Sequence, residues 1–311
     1  MDFRLTEEQQ ALRAGARELL AGRFGRERLR AAVEAKDLDR GLWAELAGAG
    51  MFSMRLAEPE GGAGLGLPEA VLVFEEAGRA LLPGPLVATH LAAGLLDEAV
   101  VAVVDTTRRP LLAEHLADAQ AVLVLDGKRV RRADPAAFDP VPEPCLDPLT
   151  PLYRVRGGPH TMESLAVLDT DVRTLRRQGA LLTAALQLGI ALRTLESAVA
   201  HAREREQFGR PIGSFQAVKH LCADMLGRAE VARVAVYAAS VTGDAVDTAT
   251  AKLLADEAAV RNARDCLQVH GGTGFTWEAD VHLFLKRAWV HATQYADAAA
   301  NEETLAAALR R

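Results

Sequence analysis

The chain has 311 residues, half of them apolar and a quarter charged, with a net charge of −6. That length holds one large domain or two to three smaller ones, and the acidic balance excludes nucleic acid as the main partner. No uncharged apolar run reaches the roughly 18 residues that a membrane-crossing helix needs, so no such helix is expected. The cysteines, Cys145, Cys222 and Cys266, are odd in number and far apart. They offer neither a disulfide framework nor a C-x-x-C site, and no His-rich cluster or H-E-x-x-H string supplies a metal centre. The opening MDFRLTEEQQ puts acidic and polar residues where a secretory leader has its apolar core, and the expected location is a reducing cytoplasm.

Thr6-Glu7-Glu8-Gln9 is a capping box, so a helix starts there and carries Leu12, Ala16, Leu19 and Leu20 on one face. Helical pattern continues through Leu42, Trp43 and Leu46 to Gly48-Ala49-Gly50. The run Pro59 to Gly66 is rich in glycine but lacks the Gly-Lys-Ser/Thr of a P-loop and the strand that precedes a dinucleotide fingerprint. It reads as a flexible connection. Pro68 then opens a helix through Val71, Phe74, Glu75 and Leu81, which Pro83-Gly84-Pro85 breaks.

Between about residues 100 and 169 the period becomes strand-like, with β-branched runs at Val100–Val104 and Ala121–Leu125. Asp126-Gly127 is a two-residue hairpin signal before Lys128-Arg129-Val130. Prolines at 135, 140, 142, 144, 148 and 151 make the rest loop-rich and poor in central strands. This is a small β region.

From Val172 onward the pattern is helical again. Leu175, Leu182, Leu186, Ile190 and Leu195 stripe a first helix, expected to stop near Phe208–Gly209, with Gly209 as its C-cap and Pro211 forbidding continuation. A second restarts at Ser214 as N-cap and repeats Val218, Leu221, Cys222, Met225, Leu226, Ala229 and Ala232, until Ser240–Asp244 interrupts it. A third runs through Lys252, Val260, Ala263 and Leu267 to Gly271-Gly272, and a last includes Leu283, Phe284, Arg287, Trp289 and Tyr295 before a weakly amphipathic tail. Four antiparallel helices with short loops make a four-helix bundle. The corner between the first two carries Arg203, Arg205 and Arg210 beside the positive N-terminus of the second, which suits a phosphate or diphosphate.

Arg205-Glu206-Gln207-Phe208-Gly209, followed by Pro211-Ile212 and Phe215-Gln216, closely resembles the R-x-x-F-G…P-I…F-Q stretch of the acyl-CoA dehydrogenase family. Gln268-Val269-His270-Gly271-Gly272-Thr273-Gly274-Phe275 matches a second family string in the family's order. The N-terminal connection at residues 58–66 and the P-G-P run ending at Thr89 are similar to the family's too. The resemblance implies a mainly α fold: an N-terminal helical domain over 1–97, a reduced middle β region over 98–170 and a C-terminal helical bundle with FAD-binding motifs over 171–311. It implies FAD as cofactor, with Arg205, Gln207, Phe208 and Gln216 facing its diphosphate and adenosine half. Gln268, Gly271 and Gly272 are implied as contacts offered to the same cofactor by a neighbouring subunit.

The same resemblance implies α,β-dehydrogenation of an acyl-CoA or other acyl thioester and an electron-transfer acceptor. Three departures shape that expectation. The family's T-E-P-x-A-G-S-D and W-I-T or W-V-T strings of the middle domain do not occur. Where the family's catalytic Glu follows a Tyr, this chain reads Tyr295-Ala296-Asp297, and the family's alternative Glu position falls near Gly179, with no acid beside it. Asp297 sits one residue from the expected place, an offset of about 100° on a helix. The expected role is therefore one subunit of a heteromeric enzyme whose second acyl-CoA dehydrogenase-like subunit supplies the Glu. The alternatives are a self-sufficient oxidoreductase using Asp297 or another acid, and a non-catalytic scaffold subunit.

Overall fold

The structure, a computed structural model, describes residues 4–35, 37–156 and 165–310; residues 157–164 of the expected β region lie outside them. In chain order the described helices are α1 (Glu7–Arg23), α2 (Arg26–Ala35), α3 (Arg40–Gly48), α4 (Leu67–Ala80), α5 (Leu86–Ala92), α6 (Val172–Glu204), α7 (Gln216–Thr242), α8 (Ala245–His270), α9 (Val281–His291) and α10 (Ala298–Leu309). The strands are β1 (Val101–Asp105), β2 (Leu112–Glu114), β3 (Ala121–Leu125), β4 (Val130–Ala133), β5 (Pro140–Glu143), β6 (Leu152–Val155), β7 (Ala166–Leu168), β8 (Glu206–Gln207) and β9 (Arg210–Pro211). The fold is mainly α, with small sheets. No helix of the described residues is long and apolar enough to cross a membrane.

The chain divides into two compact units, each gathered from separated segments. The first holds the chain up to Gly22, Leu67–Leu82 and everything from Ala180 onward; the second holds Arg23–Gly66 and Pro83–Gly179. Compactness thus puts nearly all of α1 and α4 with the C-terminal helices.

In the first unit α1 starts as the capping box requires: Gln9 N donates to Thr6 Oγ1 at 3.2 Å and Thr6 N to Gln9 Oε1 at 3.1 Å. Helix α4 is buried from Ala70 through Gly78, and α6 is buried at every position from Ala180 to Leu192. Helical stretches buried on every face must be enclosed by other elements. They cross with a glycine of each against the backbone of the other: a Cβ on Gly78 would sit 2.0 Å from the Leu186 carbonyl oxygen, and one on Gly189 2.0 Å from that of Glu75. Several polar residues of this interior are paired. Glu76 takes two bonds from Arg17 at 2.7 and 2.8 Å, and Tyr237 of α7 donates to Glu75 at 2.7 Å. Lys252 of α8, fully buried, donates to Asp256 at 2.5 Å and to the His291 carbonyl at 3.0 Å, while Gln187 donates to Asp256 and to the Ala288 carbonyl, both at 2.9 Å. These bonds tie α6, α8 and the last turn of α9 together.

The second unit holds two sheets. One has the order β1-β3-β4-β7, with β1 and β3 parallel and the other pairs antiparallel; the other has the order β2-β6-β5, antiparallel throughout. β3 reads AVLVL and is buried at all five positions, as a central strand covered on both faces should be. Pro140 and Pro142 fall on β5, an edge strand, where a missing N–H costs no ladder bond.

Several expectations need correction here. The Pro59–Gly66 connection is pinned rather than loose: Gly62 N bonds Ala57 O, Gly64 N bonds Leu56 O and Leu65 N bonds Met54 O, at 2.8 to 3.1 Å. The β3–β4 hairpin turns on Gly127-Lys128 rather than Asp126-Gly127, because Asp126 pairs with Arg129 and Gly127, at φ +88°, fills the first central position of a type II′ turn. The last helix of the expected bundle ends at His291, and Tyr295, at φ +56°, lies in the turn beyond it. The tail is a full helix, α10.

Candidate functional site

The corner between α6 and α7 is built differently from its sequence expectation. α6 stops at Glu204, four residues early, and the chain forms a small hairpin in which Gln207 pairs with Arg210 and Glu206 with Pro211. Phe208 and Gly209 make its tip, at φ +55° and +74°. Two positive φ values in succession are the signature of a type I′ turn, so Gly209 serves the hairpin and not a helix C-cap. Ile212 N returns to the Arg205 carbonyl at 2.8 Å and closes the loop. Ser214 is not the N-cap either. Residues Ile212–Ser214 form a 3₁₀ turn, and Phe215 precedes α7 without a side-chain cap, leaving the first-turn N–H groups uncapped by any side chain.

The structure places every residue expected around the cofactor. Arg205 follows the end of α6, is exposed, and has no carboxylate partner among the described residues. Gln207 lies on β8, its amide donating to the neighbouring Glu206 carbonyl at 2.9 Å. Phe208 is 90% exposed and packs edge-on to Phe215, centroids 6.0 Å apart. Gln216 is the exposed first residue of α7, and Gln268 is exposed in the last turn of α8. Gly271 ends α8 at φ +61°, and a Cβ at Gly271 or Gly272 would meet nothing within 4 Å. Of the other arginines, Arg210 is engaged, its Cζ 4.3 Å from the Phe215 ring centroid.

One contact that sequence reasoning missed joins the last turn of α6, just before the first string, to the second string. The rings of His201 and His270 stack, centroids 4.1 Å apart and planes 18° from parallel. The end of α6 and the end of α8 therefore meet within one chain. His270 Nδ1 lies 2.8 Å from the Cys266 carbonyl, which can only accept, so that nitrogen carries the proton. Burial is the main cause that lowers the pKa of His201, helped by the neighbouring His270 and Arg205 and opposed by Glu204. An exposed, carboxylate-free guanidinium, an uncapped helix N-terminus and open backbone at paired glycines fit an anionic dinucleotide.

The turn after α9 offers less chemistry. Ala296 N bonds the Gln294 carbonyl at 2.6 Å, and the Asp297 carboxylate is the N-cap of α10, accepting from Ala300 N at 3.0 Å. At the alternative position Gly179 is buried in α6, and the adjacent Gln178 accepts from Arg55 at 3.0 Å.

Comparison with known proteins fixes the lineage. The family profile described as Acyl-CoA dehydrogenase, C-terminal domain, matches residues 173–294, and that described as Acyl-CoA dehydrogenase, N-terminal domain, matches residues 6–101. The acyl-CoA dehydrogenase IpdE2 of Mycolicibacterium smegmatis is 34% identical over 91% of this chain and 93% of its own length. The chain belongs to the acyl-CoA dehydrogenase family. Acyl-CoA dehydrogenase FadE34 of Mycobacterium tuberculosis is 37% identical over 91% of the chain, which spans only 45% of that longer protein. Among solved structures, the ChsE4-ChsE5 complex from Mycobacterium tuberculosis superposes with a TM-score of 0.85 at 25% identity, covering 100% of this chain and 99% of that one. The two profile matches leave the small sheets between them unmatched, the stretch from which the family's two middle-domain strings are missing.

Proposed function

We propose that the chain is one subunit of a heteromeric, FAD-dependent acyl-CoA dehydrogenase of the cytoplasm, acting on an acyl thioester, whose partner subunit supplies the catalytic glutamate and whose electrons pass to an electron-transfer acceptor. The observation that carries this reading is the turn after α9: alanine stands at the family's carboxylate position, and the nearest acid, Asp297, is occupied in capping α10. A positioned general base contributes roughly 10²–10⁴-fold to such a reaction, so a chain without one needs it from elsewhere. The similarity to a complex of two different chains supports the same reading.

FAD, when bound, supplies the acceptor for the hydride leaving the β-carbon. This chain's own residues hold the cofactor's far end. Arg205 carries the positive charge that faces the diphosphate, and the uncapped N–H groups at the start of α7 add to it. Phe208, projecting from the hairpin tip, offers an aromatic surface to the adenosine half, with Gln207 and Gln216 as amide partners. Gln268, Gly271 and Gly272 supply an amide and close backbone approach from the α8 side.

The test is turnover of an enoyl-forming reaction by the chain alone, by the acyl-CoA dehydrogenase-like chain encoded beside it alone, and by both, each with FAD supplied. Turnover is expected only from the pair. Robust turnover by the lone chain that disappears in Asp297→Asn would establish the self-sufficient alternative instead.

A further inference from the structure

We propose that His201 and His270 act as a ring clasp, positioning residues that hold the end of α6 against the end of α8 and so set how tightly the corner takes an anionic dinucleotide. The inference rests on the flavin reading above and deepens it. The stack sits where it can govern both strings: Arg205 N donates to the His201 carbonyl at 2.9 Å, and His270 lies between Gln268 and Gly271. The His270 ring is held by its Nδ1–H on the Cys266 carbonyl, so the stack fixes His201 against a ring that is itself oriented from α8. Loss of the stack frees the last turn of α6, and with it the guanidinium expected to meet the diphosphate.

The clasp has a pH sense. His201 faces His270 and Arg205, both of which disfavour a second positive charge, and Glu204, which favours one; burial weighs most and disfavours charge. A histidine whose pKa falls below its ordinary 6.5 in the clasped state stabilises that state above about pH 6.5, and the contribution is lost as pH falls below it. A ring that instead touched the diphosphate directly would do the opposite, because its protonated form would bind the anion better. The direction of the pH effect thus separates a clasp from a ligand.

Flavin retention by the full chain, alone or with its partner, is to be measured by equilibrium ultrafiltration with FAD at pH 7.5 and 5.5 for wild type, His201→Ala, His201→Phe and Arg205→Ala. A stacked aromatic pair contributes enough that His201→Ala should weaken retention roughly three- to tenfold at pH 7.5. His201→Phe keeps a ring on His270 and should stay within about twofold of wild type while losing the wild type's decline toward pH 5.5. A Phe variant as weak as the Ala variant, or wild-type retention that rises on acidification, overturns the clasp. Arg205→Ala should lose roughly ten- to a hundredfold whatever the clasp does; an Arg205→Ala protein that retains flavin as wild type does counts against the flavin reading itself. The clasp is also measurable without cofactor, as coupling between His201→Ala and His270→Ala in a double-mutant cycle of thermal stability, and zero coupling sinks it.

Discussion

His90 shows at residue scale what enclosure does to a titratable side chain in the second unit. It lies on α5, 4% exposed, with Nδ1 3.4 Å from the Met51 carbonyl. Burial, with the nearby Arg55 charge acting the same way, pushes its pKa from 6.5 down to about 4, against the hydrogen bond to Met51. The neutral ring therefore stabilises the fold above pH 6.5, and that contribution is lost as pH falls from 6.5 toward 4, by up to about 3 kcal/mol. His90→Leu removes the titration. Its urea midpoints between pH 7 and pH 5 should change less with pH than the wild type's, and an unchanged pH slope would show that His90 is not the group responsible. Asp297 is the opposite case, a carboxylate at the surface end of a helix whose visible task is a hydrogen bond to Ala300 N.

Among elements, the crossing of α4 and α6 is the most demanding contact in the first unit, because backbone meets backbone. Gly189→Ala would drive a methyl to 2.0 Å from the Glu75 carbonyl oxygen and 2.7 Å from Arg79 N, neither of which can rotate away. Overpacking of this kind costs about 1–3 kcal/mol, so a melting-temperature drop of roughly 2–10 °C is expected. Gly227→Ala on α7, where a Cβ meets nothing within 4 Å, should instead gain up to about 1 kcal/mol from helix propensity. Equal effects from the two would refute the close crossing. Neither glycine is distinguishable from the other in the sequence, which explains why the elements were legible and their assembly was not. The Thr6–Gln9 box, the Pro83–Pro85 break, the apolar run of β3 and the Gly243-Asp244 junction between α7 and α8 are local signals, and the chain obeys them. A glycine needing positive φ ends a helix and turns a hairpin equally well, so Gly209 could not say which it does. The His201–His270 stack joins residues far apart in the chain with no shared period, and no pattern in the sequence marks it.

At the scale of the whole molecule, a chain that carries the family's two strings but no acid at the expected base position has a definite consequence for stoichiometry. The stacked histidines hold the end of α6, which leads into the first string, against the second string. Phe208 at 90% and Phe275 at 72% exposure stand out from the two string segments, and large aromatic side chains left this open suit a surface that another chain covers. If that chain brings the glutamate and this one brings the diphosphate contacts, a heteromeric pair holds one complete site where two identical family chains would hold two. The purified pair should then contain about one FAD for every two chains, and anaerobic addition of a suitable acyl thioester should bleach all of it. Arg205→Ala in this chain should lower that flavin content while leaving the pair assembled, because an exposed guanidinium contributes little to folding. Two flavins per pair, both reduced by substrate, would mean that this chain completes a site of its own with an acid outside the turn after α9, and the subunit reading would fall.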